Sequence, residues 1–266
     1  MPPPQLERLP RSLQILAEWV PRFAMVWCVL LTFVSHTVGD DAAEPQSELQ
    51  TIELADLPPP PEEIAASIER GKVQFVFGPR PESMQSGLRQ DNTSASPRKG
   101  RRLAATTEYR MGYHYRSRNR WKFVDQDRNA ESREVRISMR FSDVRIEPEH
   151  TVWFRNRPAS DAFWTDRLVL HELDHVQIST DPLLEKRFRE YLRANSTITQ
   201  RFKRGETVNE STVHPIVDKH VSEVFSRISD LVDIRYQELD RLTDHGLVEF
   251  PEGSSLETIK EFSSKP

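Results

Sequence analysis

The sequence is poor in three features that would each assign a protein to a broad class. It has a single cysteine, Cys28, so no intrachain disulfide can form. The formal net charge of its 266 residues is only −4, which gives no global case for nucleic-acid binding. Its main apolar run, residues 23–34, falls short of the roughly 20 residues that span a bilayer comfortably. What remains is enough chain for one domain of ordinary size with tails.

Residues 1–39 have the pattern of a secretory signal peptide. A weakly basic lead precedes the apolar run, and the small-residue exit Ser35-His36-Thr37-Val38-Gly39 follows it. Cleavage after Gly39 would leave an exported protein, either periplasmic or secreted. Two alternatives remain open, an uncleaved N-terminal membrane anchor and a buried helix of the domain.

Residues 40–100 have the composition of a Pro-rich spacer that is mostly disordered. Thirteen of the 19 prolines precede position 100, and the run Pro58–Pro61 is extended and stiff. We expect only a short helix ending near Gly71 and one strand at residues 73–77 within it. The compact domain is therefore predicted at residues 101–250, with a C-terminal tail at residues 251–266.

The predicted fold class is α+β, with an antiparallel sheet followed by three helices. Between Leu103 and Arg157 the apolar residues alternate with polar ones, as in strands with one solvated face. After Ser160 the pattern becomes helical. The expected strands are Thr107–Tyr115, Trp121–Val124, Val135–Phe141 and Thr151–Phe154. The expected helices end near Ser179, near Lys203 and near Asp244.

The segment from Lys99 to Lys122 is strongly basic. It contains eight cationic residues against the single acid Glu108, interleaved with aromatic residues. The strand alternation already explains most of these charges as a solvated face, so we predict no nucleic-acid partner. A polyanion of the cell envelope is a further candidate partner for these strands.

The most specific pattern is His171-Glu172-Leu173-Asp174-His175, an H-E-x-x-H motif in an apolar stretch. On a helix, His171 and His175 lie one turn apart on one face and can hold one Zn²⁺. Glu172 beside them can take a proton from water as general base. Asp174 either orients His171 or faces solvent. The alternative is a pair of core histidines satisfied by hydrogen bonds.

A zinc site of this kind needs a third protein ligand, and two residues compete for that place. Asp181 stands where the metzincin group of zinc proteases has its third ligand, but Ile178 replaces the glycine of that group. Pro182 follows Asp181, a pair typical of a helix N-cap and first position. His245 precedes Gly246 at the end of a predicted helix. We therefore expect Asp181 to cap a helix and His245 to bind the metal.

Two stretches resemble motifs of a family of predicted bacterial secreted zinc-dependent proteases. The first, His171-Glu172-x-x-His175-Val176-x-Ile178, corresponds to H-E-x-x-H-x-x-I of that family. The second, Leu239-Asp240-x-x-Thr243-x-His245-Gly246, is similar to its Y-D-x-E-T-x-H-G motif. The resemblance covers about the second half of the chain. It implies a zincin-like metallopeptidase domain with its active-site helix at the first motif.

The resemblance also implies roles for individual residues. Glu172 would activate water, Tyr236 would polarise the substrate carbonyl or stabilise the oxyanion, and Asp240 would orient a ligand. The implied zinc ligands are His171, His175 and His245. We therefore predict an exported zinc metallopeptidase that acts on peptides or proteins. The competing prediction is a catalytically inactive zincin-like module that binds or scaffolds the envelope through the basic strands.

Overall fold

The computed structural model describes residues 48–81, 103–124 and 131–262. The expected signal peptide at residues 1–39 lies outside the described residues. Within the three described ranges, no helix combines the length and the apolar character that crossing a bilayer requires.

The described strands form one sheet built around a long β-hairpin. Its central strand pairs with a parallel neighbour on one side, and the other strand pairs are antiparallel. The strands are β1 (Gln50–Ile52), β2 (Val73–Phe77), β3 (Ala105–Phe123), β4 (Ser132–Phe154) and β5 (Thr197–Lys203). The strand order is β1-β2-β4-β3, and β5 pairs with the first part of β4. The mixed α+β class expected from the sequence is confirmed.

The two hairpin strands are each continuous where two separate strands were expected. The pairing shifts by one residue between His114 and Arg116, and Asp143 on the partner strand has a left-handed φ of 52°. A bulge of this kind bends a strand and renews its pairing without ending it. The polar residues between the expected strands therefore mark an irregularity within each strand.

The helices that follow the hairpin begin at side-chain caps. Asp166 accepts hydrogen bonds from the backbone N–H groups of Leu168 (2.8 Å) and Val169 (3.2 Å), so the motif helix begins later than the expected cap near Ser160. The described helices are α1 (Glu62–Gly71), α2 (Arg167–Ser179), α3 (Pro182–Ala194), α4 (Glu210–Thr243) and α5 (Leu256–Phe262). Helix α3 stops short of Lys203 because the β-branched residues at the start of β5 form a strand that pairs with β4.

Asp181 caps α3, as the sequence predicts. Its Oδ1 accepts from the backbone N–H of Leu183 at 3.0 Å, and Pro182 occupies the first turn. Its other carboxylate oxygen lies 3.1 Å from the Arg235 guanidinium, and both side chains are almost fully buried. Asp181 therefore has a structural function, joining the start of α3 to the middle of α4.

Residues on both sides of the predicted domain boundaries at 101 and 250 pack together in the structure. Helix α1 packs against α2, and its Ile64 and Ile68 share a core cluster with Phe75 of β2. At the other end, Ile259 of α5 is buried against α4. The prolines of this region lie mainly in the segments that connect its elements. Between those segments, the amphipathic helix α1 packs on α2 and the apolar strand β2 pairs with β4. Residues of the expected spacer and tail thus contribute to the core.

Helix α2 lies between the two main parts of the core. Val169, Leu173 and Val176 pack in the cluster that includes α1 and β2, whereas Ile178 belongs to the cluster formed with α3 and α4. Because α2 contacts α1, α4 and β3, its H-E-x-x-H residues are enclosed by neighbouring elements.

Candidate metal centre

The motif residues on α2 are buried side by side. His171 and His175 are each 5% exposed and Glu172 is 3% exposed, although all three side chains are polar. The two imidazole rings are 4.8 Å apart between centroids, as expected for residues one helical turn apart. Buried polar groups of this kind need partners, and the partners come from α4 and β3.

Asp240, in the last turn of α4, faces both histidines. Its Oδ1 lies 3.2 Å from Nε2 of His171 and 3.1 Å from Nε2 of His175. The three residues offer ligand atoms that all lie within 4.8 Å of one another. This group could hold a metal ion.

The two contacts of Asp240 have nearly the spacing of ligands around a shared ion, whereas the three ligand atoms together lie only within 4.8 Å of one another. Four ligands placed tetrahedrally at metal bonds of about 2.0–2.2 Å lie about 3.3–3.6 Å from one another. The two contacts to Asp240 Oδ1 are only slightly shorter. Both histidines direct Nε2 toward the same carboxylate oxygen, which is the convergence that ligands around one ion require. The donor set of two imidazoles and one carboxylate therefore suits a divalent metal.

The electrostatics of the group keep Asp240 anionic. Burial acts to raise the pKa of Asp240, but hydrogen bonds from His171 and His175 outweigh it and hold the pKa far below its usual range. Burial acts to lower the pKa of His175, yet the hydrogen bond and charge of Asp240 raise it overall. A metal on Nε2 would take the place of a proton shared with Asp240, so binding would be coupled to proton release.

Thr243 fixes the orientation of His171. Its hydroxyl donates to the Leu239 carbonyl at 2.8 Å, so it can only accept at its 3.3 Å contact with Nδ1 of His171. Nδ1 must then carry a proton, so Nε2, which faces Asp240, is the nitrogen that would bind a metal after losing its own proton. Thr243 stood in the second sequence motif without an assigned role. The missed signal was its place three residues after Asp240, on the same face of α4.

The backbone of Gly246 packs directly against the imidazole of His171. A Cβ at this position would lie 2.7 Å from Cγ of His171, and the backbone has a left-handed φ of 79°. The amide of Gly246 also donates to the Thr243 hydroxyl at 3.2 Å. A glycine is needed here both for the turn and for the close approach of the chain to His171.

The predicted third ligand, His245, does not join the group of three. Its Nδ1 lies 3.4 Å from Oδ1 of Asp240, and its side chain is 58% exposed. Asp244 and His245 both have left-handed φ angles, of 48° and 56°, so the chain turns away as soon as α4 ends at Thr243. His245 therefore approaches Asp240 from the solvent side. In the structure it is Asp240 that forms a group with His171 and His175, and His245 lies beside Asp240.

Glu172 is held by the sheet. Its Oε2 accepts a hydrogen bond of 2.7 Å from the hydroxyl of Thr107, on β3. Burial raises the pKa of Glu172, and the charges of His175 and His171 act against that rise. The carboxylate is thus fixed next to the histidines by a residue from a different element.

Tyr236 supports His175 with its ring. The two ring centroids are 4.4 Å apart, and the Tyr236 hydroxyl donates to Oγ of Ser179 at 3.0 Å. Ser179 in turn lies 2.6 Å from Nε2 of His150, a buried histidine that the sequence analysis missed. The predicted role of Tyr236 at an oxyanion would require its hydroxyl to leave this buried network.

Asp174 contributes no hydrogen bond to His171 or His175 within the described residues. It is half-buried, and burial raises its pKa to about 6, against the opposing charges of the two histidines. The structure thus places Asp174 close enough to feel the site electrostatically, but without the orienting contact that was expected.

Comparisons of this chain with models of protein families, with curated proteins and with solved structures find no match. The resemblance of the two motifs to secreted zinc proteases stays a prediction. The function of the site must therefore be inferred from the geometry of its residues.

Proposed function

We propose that the protein is an exported zinc metallopeptidase in which His171, His175 and Asp240 hold the ion. The observation that carries the proposal is the convergence of both imidazoles on Asp240 Oδ1, at 3.2 and 3.1 Å, next to a buried glutamate. Two histidines and a carboxylate with one position left open form one of the established ligand sets of catalytic zinc. The motif resemblance supports the same choice.

The residues around the ion have separate tasks in this proposal. A bound zinc ion supplies a Lewis acid that lowers the pKa of water and polarises a carbonyl. Thr107 occupies Oε2 of Glu172, so Oε1 is the oxygen that takes a proton from the attacking water. The raised pKa of Glu172 suits it to hand that proton to the leaving amine. Thr243 keeps His171 in the tautomer that leaves Nε2 unprotonated.

The substrate in this proposal is an extended polypeptide. β3 stands at the end of the strand order, and its Thr107 contacts Glu172 directly. An extended peptide can add to such an edge through backbone hydrogen bonds, which recognise any sequence. Export rests on the signal-like pattern of residues 1–39.

Metal analysis combined with hydrolysis of an unfolded protein tests the proposal. Zinc should copurify, a chelator should abolish cleavage, and added zinc should restore it. Glu172→Gln should keep the metal and lose at least about 100-fold in hydrolysis, because an amide cannot accept the proton. Asp174→Asn is the matched control, since it removes a carboxylate from the same helix without touching the ligands.

Two results would contradict the enzyme proposal. A Glu172→Gln variant with undiminished cleavage would remove the general base from the mechanism. A wild type that binds zinc but cleaves no unfolded protein would favour the inactive envelope-binding module instead.

A further inference from the structure

One face of the hairpin carries cations directly opposite one another. Beyond the bulge, Arg118 of β3 pairs with Arg140 of β4, and Lys122 pairs with Arg136. Arg120 lies between these two pairs on β3 and is also exposed. Residues opposite one another in an antiparallel pair share a face, and here they have like charges, which destabilises the pair.

These cations have no acidic partners in the described part of the chain. No carboxylate there lies within 4.0 Å of their charged groups, whereas Arg116 and Arg145, on either side of the bulge, both contact Asp143. Nearer the candidate metal centre, Arg110 lies directly opposite Glu149. Among the described residues, the hairpin thus pairs its charges at and before the bulge and leaves these five cations unpaired beyond it. With a net charge of −4, the composition of the chain does not account for this.

The cationic half of this face spans three strands. Arg120 lies opposite Ser138, and Thr197 and Thr199 of β5 continue the same rows, so the charged side chains stand above small hydroxyl residues. Lys203 and Arg201 extend the face on β5, where Arg201 is paired with Glu134 at 3.1 Å. Alternate residues of a strand repeat at about 6.6–6.8 Å and neighbouring strands lie about 4.8 Å apart. The cations therefore form a two-dimensional array rather than a line or a groove.

The aromatic residues of β3 lie on the other face. Trp121 pairs with Ile137 and Phe123 with Val135, on the side of the sheet where Ile137 and Val135 are buried. The cationic face therefore offers no ring on which a nucleic-acid base could stack. Thr107, which holds Glu172, belongs to that same inner side with Tyr109, so the metal centre and the cationic face lie on opposite sides of the sheet.

We propose that the outer face formed by Arg118, Arg120, Lys122, Arg136 and Arg140 adsorbs to a bilayer rich in anionic phospholipids. A surface of anionic headgroups matches an array of cations that spreads in two dimensions, and its negative charge relieves the repulsion between the opposed pairs. Clusters of four to eight Lys and Arg residues are sufficient for such binding. Adsorption through this face leaves the metal centre on the other side open to substrate. The proposal does not depend on the proposed peptidase activity.

Vesicle binding by the full chain tests this inference. Because the apolar residues 23–34 can enter any bilayer, the measured quantity is the ratio of binding to equimolar phosphatidylglycerol–phosphatidylcholine vesicles over binding to phosphatidylcholine vesicles. The test variant neutralises the two opposed pairs, and the control removes the same charge from exposed cations of α3 and α4. The test substitutions are Arg118→Gln, Lys122→Gln, Arg136→Gln and Arg140→Gln. The control substitutions are Lys186→Gln, Arg193→Gln, Lys219→Gln and Arg227→Gln.

The wild type and the control variant should prefer the anionic vesicles by about tenfold or more, and the test variant should lose that preference. The preference should weaken as salt is added, because exposed charges are screened. The test variant should unfold at a temperature no lower than the wild type, since it loses like-charge pairs. Equal binding of the wild type to both vesicles, or an unchanged preference in the test variant, would overturn the inference. So would tighter binding to heparin or duplex DNA than to the anionic vesicles, if the same four substitutions abolish it.

Discussion

The two helices that build the candidate metal centre hold their residues in different ways. In α2, His171, Glu172 and His175 belong to an uninterrupted helix, so their relative positions follow from the helical repeat alone. In α4, Asp240 lies in the last turn, and three successive left-handed residues follow at 244–246. The first set is fixed by local geometry, whereas the second depends on how the end of α4 docks on α2.

The contacts that α4 and the turn after it make with His171 differ from those made with His175. His171 has its Nδ1 beside the Thr243 hydroxyl and its ring under Gly246. His175 has a buried Nδ1 with no hydrogen-bond partner among the described residues, and its ring packs on Tyr236. One histidine is therefore oriented by a hydrogen bond and the other by packing. Substitutions in α4 should separate these two modes.

The largest effect in α4 is expected at Asp240. Asp240→Asn removes the charged oxygen that faces both histidines, and it should weaken zinc binding by more than the 10–100-fold typical of a residue that only orients a ligand. His245→Asn, which alters only the solvent-side neighbour, should cost at most about tenfold. Competition with a chromogenic chelator measures both affinities.

The paired variants decide between the two ligand assignments. If His245→Asn were the more damaging change, His245 would be the ligand and Asp240 its orienting partner, as the sequence analysis expected. Far-ultraviolet circular dichroism of both variants controls for loss of the end of α4, because a frayed helix would weaken metal binding in either case.

A smaller effect is expected at Thr243. Thr243→Val keeps the shape of the side chain but removes the acceptor at Nδ1 of His171, so zinc affinity should fall by about 10–100-fold. Thr243→Ser retains the hydroxyl and should bind zinc nearly as well as the wild type. Equal affinities for Val and Ser would show that Gly246 packing alone orients the His171 ring.

The contrast between the helices also explains which features could be read from the sequence. The H-E-x-x-H spacing and the Asp181–Pro182 cap depend on neighbours within one turn, and both were predicted correctly as structure. The approach of Asp240, rather than His245, to both histidines could not be predicted, because it depends on where α4 ends. A glycine at 246 indicated a helix end, but the left-handed turn begins two residues earlier, at Asp244.

The missed parts of the fold have a similar cause. Helix α1 and strand β2 were correctly expected as elements, yet they were assigned to a spacer because the surrounding prolines dominated the composition. Their place in the core depends on partners more than 60 residues away in sequence, such as Thr151 opposite Gln74 in the parallel pair of β2 and β4. A pattern that is read locally predicts an element, but it does not identify the partner of that element.

The smallest effect is expected at Tyr236, where the ring and the hydroxyl can be separated. Tyr236→Phe keeps the ring on His175 and removes the donor to Ser179, so the free energy of unfolding should fall by about 1 kcal/mol. Tyr109→Phe is the matched control, since the hydroxyl of Tyr109 also bonds a nearby side chain, that of Asp233.

Peptide hydrolysis by Tyr236→Phe should stay near the wild-type rate, because His175 keeps its packing partner. A fall in kcat of about 100-fold or more, with zinc affinity unchanged, would instead indicate that the Tyr236 hydroxyl stabilises the oxyanion. The hydroxyl would then have to leave Ser179 when substrate binds, and the end of α4 would be catalytic as well as orienting.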